Sequence, residues 1–186
     1  MGSKYLIEER VAIPAKVKVS IAGRVVNVEG PKGKLAKALT HPDVTVEMDG
    51  KDVVVGTNDK SRKVYAMIGT YRAHIQNMFY GATEGYEFRM KAVYSHFPLK
   101  IVIKGDVVMV ENYLGEKAPR KAKVVGGTKV VLKGDELTLT GPDIEMVGQS
   151  AANIEKATRR SGYDTRIFQD GIYITKKGER AAAKEA

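Results

Sequence analysis

Apolar and polar residues alternate along Val17-Lys18-Val19-Ser20-Ile21. That is the pattern of a half-buried strand, since successive strand side chains point to opposite faces. Ala22-Gly23 turns this strand and Val25-Val26-Asn27-Val28 returns. Gly30-Pro31-Lys32-Gly33-Lys34 then reads as a loop, and residues 44–48 and 53–55 read as a second strand pair around Asp49-Gly50. Asp-Gly between β-rich runs is a strong hairpin signal. The period then lengthens. Val64, Met67, Ile68, Tyr71, Ile75, Met78 and Phe79 recur at helical spacing and form one apolar stripe, which reads as core packing. Asp59 or Ser61 can cap this helix and Gly81 can stop it. Residues 1–15 are a lead-in punctuated by Pro14.

The same succession then recurs. A shift of 82 residues lays VKVSIAGRVVNVEGPKG (Val17 to Gly33) on LKIVIKGDVVMVENYLG (Leu99 to Gly115), and a shift of 84 lays Val44 to Val55 on Thr128 to Leu139. In the second copy Phe88, Met90 and Ala92 alternate as a lead-in strand. Ile101–Ile103 pairs with Val107–Val110 through Lys104-Gly105-Asp106, and a long basic loop runs from Leu114 to Lys123. Val130–Leu132 pairs with Leu137–Leu139 through Lys133-Gly134-Asp135. A helix from about Asp143 presents Val147, Ala151, Ile154 and Thr158 on one face and ends near Ser161-Gly162. An extra pair, Thr165–Phe168 with Ile172–Thr175 around Gln169-Asp170-Gly171, closes the copy, and the tail GERAAAKEA is expected to be mobile. Strands, one helix and hairpin connections indicate the α+β class. The expected architecture is two duplicated domains, residues 1–82 and 83–186, each an antiparallel sheet with one helix packed on a face.

Composition narrows what such a scaffold can do. The absence of Cys removes disulfides, thiolate zinc sites and cysteine nucleophiles, and fits a reducing compartment. No run approaches the ~20 apolar residues of a membrane span. The N-terminus carries no signal-peptide pattern, so a cytoplasmic protein is expected. Lys and Arg outnumber Asp and Glu by 31 to 22, a surplus that suits a polyanionic partner, because neutralised phosphates release condensed counterions. Between Glu116 and Lys133 lie Lys117, Arg120, Lys121, Lys123, Lys129 and Lys133. The helix end and the following hairpin bring Lys156, Arg159, Arg160, Arg166, Lys176 and Lys177. Both clusters fall in the second copy, which is therefore expected to hold the polyanion.

Other chemistry fails on spacing. Gly30-Pro31-Lys32-Gly33-Lys34 has two residues between its glycines where a phosphate loop needs four, and Leu35 follows where Ser or Thr is required. It is weighed as a basic loop touching a phosphate backbone against a plain surface loop. Gly148-Gln149-Ser150 lacks the second glycine of a nucleophile elbow, and no His follows it. Gln149 and Ser150 are expected to face a partner or solvent. His41, His74 and His96 have no partners at metal-ligand spacing, so no metal and no general base is assigned. Sequence-specific duplex readers use a recognition helix or zinc module, and single-strand platforms use exposed strand aromatics. Neither is evident at 7% aromatic content and no Trp, which leaves folded RNA read by shape, phosphates and 2′-OH groups and argues against DNA.

Gly30-Pro31-Lys32-Gly33, Gly69-Thr70-Tyr71-Arg72 with Asn77-Met78, and Gly81-Ala82-Thr83-Glu84-Gly85-Tyr86 resemble the universal large-subunit ribosomal protein six. Val147 to Ile154 resembles the second-copy helix of that family. Arg166-Ile167-Phe168-Gln169-Asp170-Gly171-Ile172-Tyr173-Ile174 with Lys176-Lys177 resembles the C-terminal signature of its archaeal and eukaryotic branch, and the bacterial Tyr-Lys-Gly-Lys-Gly stretch is missing. The resemblance spans roughly residues 5–178. It implies two similar α+β domains and a structural, ribosome-bound protein that holds large-subunit ribosomal RNA chiefly through the second domain. It also implies a place near the sarcin-ricin loop and the docking region of translational GTPases, neighbouring ribosomal proteins as partners, and neither cofactor nor enzymatic activity. Arg166, Lys176 and Lys177 are the RNA contacts carried over by motif. Lys117, Arg120, Lys121, Lys123, Arg159 and Arg160 join them by charge. Phe168 and Tyr173 are expected in the core. A free-standing RNA-binding or ribosome-assembly protein on the same fold remains the alternative, and a hydrolase centred on Ser150 is a third, weaker one.

Overall fold

The computed structural model describes residues 5–160, 162–164 and 166–180, and it divides into one unit ending at Glu84 and a second starting at Gly85. The first unit contains β1 (Ile7–Ala12), β2 (Lys18–Ala22), β3 (Val25–Gly30), β4 (Gly33–Ala38), β5 (Thr45–Asp49), β6 (Asp52–Thr57) and α1 (Arg62–Thr83). The second contains β7 (Tyr86–Val93), β8 (Lys100–Lys104), β9 (Val107–Glu111), a 3-10 turn (Tyr113–Gly115), β10 (Arg120–Lys123), β11 (Lys129–Lys133), β12 (Glu136–Gly141), α2 (Ile144–Ala157) and β13 (Gly171–Arg180).

All described strand pairs are antiparallel. Each unit holds two sheets rather than one. In the first they run β1-β6-β5 and β2-β3-β4. In the second β10-β9-β8 repeats the latter, and β11-β12-β7 repeats the former with β13 added at its edge. The duplication seen in the apolar pattern is therefore a duplication of topology. The expected α+β class holds.

Period-two burial explains the layers. In β7 the buried residues are Tyr86, Phe88, Met90 and Ala92, while their neighbours turn outward. In α1 the buried stripe is Val64, Ile68, Tyr71, Ile75, Met78, Phe79 and Ala82, packed with Val26, Val28, Val53 and Val55 from both sheets. In the second unit Val147, Ala151 and Ile154 of α2 pack with Met90, Val108, Leu137 and Leu139.

Several expectations are corrected. The lead-in before Pro14 contains a sheet strand, β1, paired to β6. Gly81 does not end α1. It is buried within the helix, which runs to Thr83, and Gly85 at φ +78° follows the cap. Ser61 occupies the N-cap without a side-chain bond, and Asp59 Oδ1 accepts from its amide at 3.0 Å. Gly30 to Lys34 is not a free loop: Pro31-Lys32 is the turn between β3 and β4, whose strands pair from Gly30↔Gly33 outward. Arg120 to Lys123 likewise forms β10 rather than loop, the counterpart of β4. The extra hairpin at the end is a single strand, β13, paired to β7, and residues 166–168 are turn and coil. Gly178 to Arg180, expected in the mobile tail, continue β13. Positions 161, 165 and 181–186, on which parts of these expectations rest, lie outside the described residues. Among the described residues no helix is long and apolar enough to cross a membrane.

Candidate nucleic-acid interface

The surplus positive charge is shared almost equally. Residues 1–84 carry 13 Lys/Arg against 9 Asp/Glu, and residues 85–186 carry 18 against 13, so the surpluses are +4 and +5. What separates the units is how the second one gathers its cations.

The gathering starts on β10. Its alternation turns Arg120 and Ala122 inward and Lys121 and Lys123 outward. Lys121, Lys123 and the exposed Lys117 just before them have side chains held by no acid among the described residues. β10 lies beside the C-terminal half of α2, where Asn153 Nδ2 donates to Lys123 O at 2.9 Å. This contact brings Lys156 and Arg159 at the end of α2 into the neighbourhood of Lys121 and Lys123. The two basic clusters, some thirty residues apart in sequence, thus lie on neighbouring elements.

Arg120 serves that arrangement from within. Its Nε donates to Glu116 Oε2 at 2.8 Å, and its Nη1 donates to Ala157 O and Arg159 O, both at 3.1 Å. The guanidinium sits 4.0 Å over the Tyr113 ring. The bond between Arg120 and Glu116 lowers the Glu116 carboxyl from its ordinary value and raises the Arg120 guanidinium from its own. The two carbonyl bonds engage Ala157 O in the last turn of α2 and Arg159 O just past its cap. Tyr113, fully buried, donates its hydroxyl to Thr158 O at 2.7 Å and approaches Asp170 O at 3.3 Å. Thr158 Oγ1 accepts from Ile172 N at 3.0 Å, and buried Asp170 accepts from Ser95 N at 3.1 Å. One polar network thus ties β10, the end of α2 and the start of β13.

Sequence reasoning passed over Tyr113, the centre of that network. Its flanks, Asn112 (φ +60°) and Leu114 (φ +49°), are both left-handed without being glycine. Asn tolerates that region, but Leu there gives no sequence signal.

Arg160 also works inside the unit, donating from Nη1 to Asp170 O at 2.6 Å and to the Tyr173 hydroxyl at 3.1 Å. Arg166 is exposed and chelated by Asp164 at 2.9 Å, which pushes that carboxyl down. Lys176 and Lys177 are exposed on β13, where the register shifts on either side of Lys176. Phe168 and Tyr173, expected in the core, are 40% and 38% exposed.

Ser150, expected at the surface with Gln149, is fully buried. Its hydroxyl donates to Met146 O at 2.8 Å and accepts from Val125 N at 3.0 Å. Gln149 is exposed and bonds to Asn153. Ser150 is a clamp between α2 and the segment that links β10 to β11. Ser150→Ala should leave the Val125 amide unsatisfied and cost about 2 kcal/mol, seen as a shifted denaturation midpoint at unchanged slope. An unshifted midpoint would refute the clamp. The histidines are structural or local: His41 N donates to the Tyr71 hydroxyl at 2.7 Å, His74 Nδ1 lies 3.1 Å from Lys37 Nζ, and His96 meets Phe97 edge-on. Among the described residues no group of three His, Cys, Asp or Glu could hold a metal ion.

Comparison with known proteins matches this architecture. The family model described as Ribosomal protein L6 fits twice, to residues 13–85 and 97–171, once per unit. The Large ribosomal subunit protein uL6 of Natronomonas pharaonis is 47% identical over 170 residues, covering 91% of this chain and 96% of that protein. That of Haloarcula marismortui is 49% identical over 158 residues (85% and 89%), and that of Methanobrevibacter smithii 48% over 171 (92% and 96%). With both copies of the family unit in place and nearly half the residues shared along almost the whole length, the chain belongs to the ribosomal protein L6 family.

Proposed function

We propose that this chain is a structural constituent of the large ribosomal subunit that holds ribosomal RNA chiefly with its second unit. Membership of the family across both units carries the reading. The exposed cations of β10 and of the neighbouring α2 end support it, because outward lysines and arginines on a rigid strand and helix end suit phosphate contact. No catalytic group is assigned. Lys117, Lys121, Lys123, Lys156, Arg159 and Lys177 are the phosphate contacts in this reading. Arg166 and Lys176 join them by motif, whereas Arg120 and Arg160 position their neighbours. The contact lies near the sarcin-ricin loop and the region where translational GTPases dock, with neighbouring ribosomal proteins alongside.

Crosslinking in native extract tests this. Crosslinks from residues 117–123 and 156–177 should concentrate on large-subunit RNA near the sarcin-ricin loop, and the protein should stay with large subunits through a high-salt wash. Crosslinks scattered over unrelated RNAs would favour a free-standing RNA-binding or assembly protein. Arg166→Ala and Lys177→Ala should each lower the salt slope of RNA binding by about one charge. Unchanged slopes in both would remove the C-terminal segment from the interface.

A further inference from the structure

Between the end of α2 and β13 lies an open groove of about 590 Å³, a volume within the roughly 300–1,000 Å³ of small-ligand sites. Ala152 and buried Ile172 give it an apolar floor, and Tyr173 forms a wall. The Tyr173 ring is pinned: its hydroxyl donates to Gln169 O at 3.0 Å and accepts from Arg160 Nη1 at 3.1 Å. A Cβ at Gly171 would lie 3.2 Å from the ring, a tight contact that packs the ring closely against the start of β13. Lys156 and Arg159 line the groove, exposed and held by no acid among the described residues. Arg160 lines it too, and its Nε–H is the one buried side-chain polar atom without a partner among the described residues. Glu155 also lines the groove, and its Oε1 accepts from Ile174 N at 3.2 Å.

We propose that this groove holds one unpaired nucleotide of the bound RNA, its base against Tyr173 and its phosphate on Lys156 and Arg159. This rests on the RNA-binding reading above and sharpens it from shape recognition to capture of a splayed-out base. An aromatic face with flanking cations suits an unstacked base and its phosphate.

The test titrates the full chain, isotope-labelled for NMR, with adenosine monophosphate and in parallel with inorganic phosphate. The monophosphate should shift amides of residues 152–160 and 172–173 saturably. Phosphate should move at most those around Lys156 and Arg159. Tyr173→Leu should weaken the monophosphate about tenfold, while Tyr173→Phe, which keeps the ring, should stay within about threefold of the unaltered chain. On purified large-subunit RNA, Tyr173→Leu should lower affinity at an unchanged salt slope, since stacking releases no counterions, whereas Arg159→Ala should reduce the slope by about one. Normal binding of that RNA with no groove amide moved by the monophosphate would overturn the proposal and leave the RNA reading standing. An oligo-glutamate peptide shifting the same amides as strongly would also overturn it, since the groove would then read charge alone. Failure of the unaltered chain to bind large-subunit RNA would remove the RNA reading and the proposal with it.

Discussion

Tyr113→Ala is expected to unravel the RNA-facing end of the second unit. Truncating a fully buried aromatic costs about 4 kcal/mol, a large share of the 5–15 kcal/mol that holds a typical domain together. Position 113 should reach that figure. Its ring lies beneath the Arg120 guanidinium, and its hydroxyl satisfies the Thr158 carbonyl. Without the ring, Arg120 loses its platform, and the α2 end that presents Lys156 and Arg159 loses its anchor. Hydrogen exchange on the full chain can read this unit by unit. Amides of β9 and β12 should lose protection by orders of magnitude while those of β6 keep theirs. Tyr113→Phe retains the ring and should cost only about 1–2 kcal/mol for the orphaned carbonyl. RNA affinity should follow protection in both variants. Full protection of β9 and β12 in Tyr113→Ala would show that the network is ornamental to the fold.

Much of this architecture was readable from residue order, and the failures share a cause. Hairpins around Asp49-Gly50, Lys104-Gly105-Asp106 and Lys133-Gly134-Asp135 form as expected, since their turn chemistry is local. The apolar stripe of α1 is buried as its period indicates, and Asp143 caps α2 through its bond to Glu145 N at 2.9 Å. β4 and β10 were missed because Gly33-Lys34-Leu35-Ala36-Lys37 and Arg120-Lys121-Ala122-Lys123 look like basic loop. Their strand character comes from a partner strand, and β propensity is set largely by such neighbours. The site shows the same limit. The cationic clusters were visible, but not that Asn153 would set β10 beside the end of α2, nor that Arg120 and Arg160 would spend their donors on carbonyls inside the unit. Charge is local in sequence, whereas the acceptor that engages a charge is brought by the fold.

Gly30→Ala is expected to destabilise the first unit by about 3 kcal/mol, at the high end for overpacking. An added Cβ at this position would sit 2.5 Å from the Ala82 carbonyl oxygen and 2.9 Å from its carbon. That obstacle is helix backbone and cannot rotate away. The turn between β3 and β4 presses on the end of α1 here, and Lys32 N donates to Ala82 O at 2.9 Å, engaging a carbonyl from the last turn of the helix. A methyl group at Gly30 must lift the turn, break that bond and open the packing of Val26 and Val28 against the helix. Lys32→Ala is the telling control: the bond uses the backbone amide, so the variant should stay within about 0.5 kcal/mol of the unaltered chain. The pair separates two roles for Gly-Pro-Lys-Gly. If the segment is an architectural clasp, Gly30→Ala lowers protection of β3 and α1 in hydrogen exchange, and Lys32→Ala leaves both protection and RNA affinity unchanged. If it is a basic loop on a phosphate backbone, the order reverses: Lys32→Ala weakens RNA binding and lowers its salt slope, while Gly30→Ala does little. The approach of Gly30 to Ala82 favours the clasp, because a loop built to move onto RNA would not be seated this tightly on its own helix.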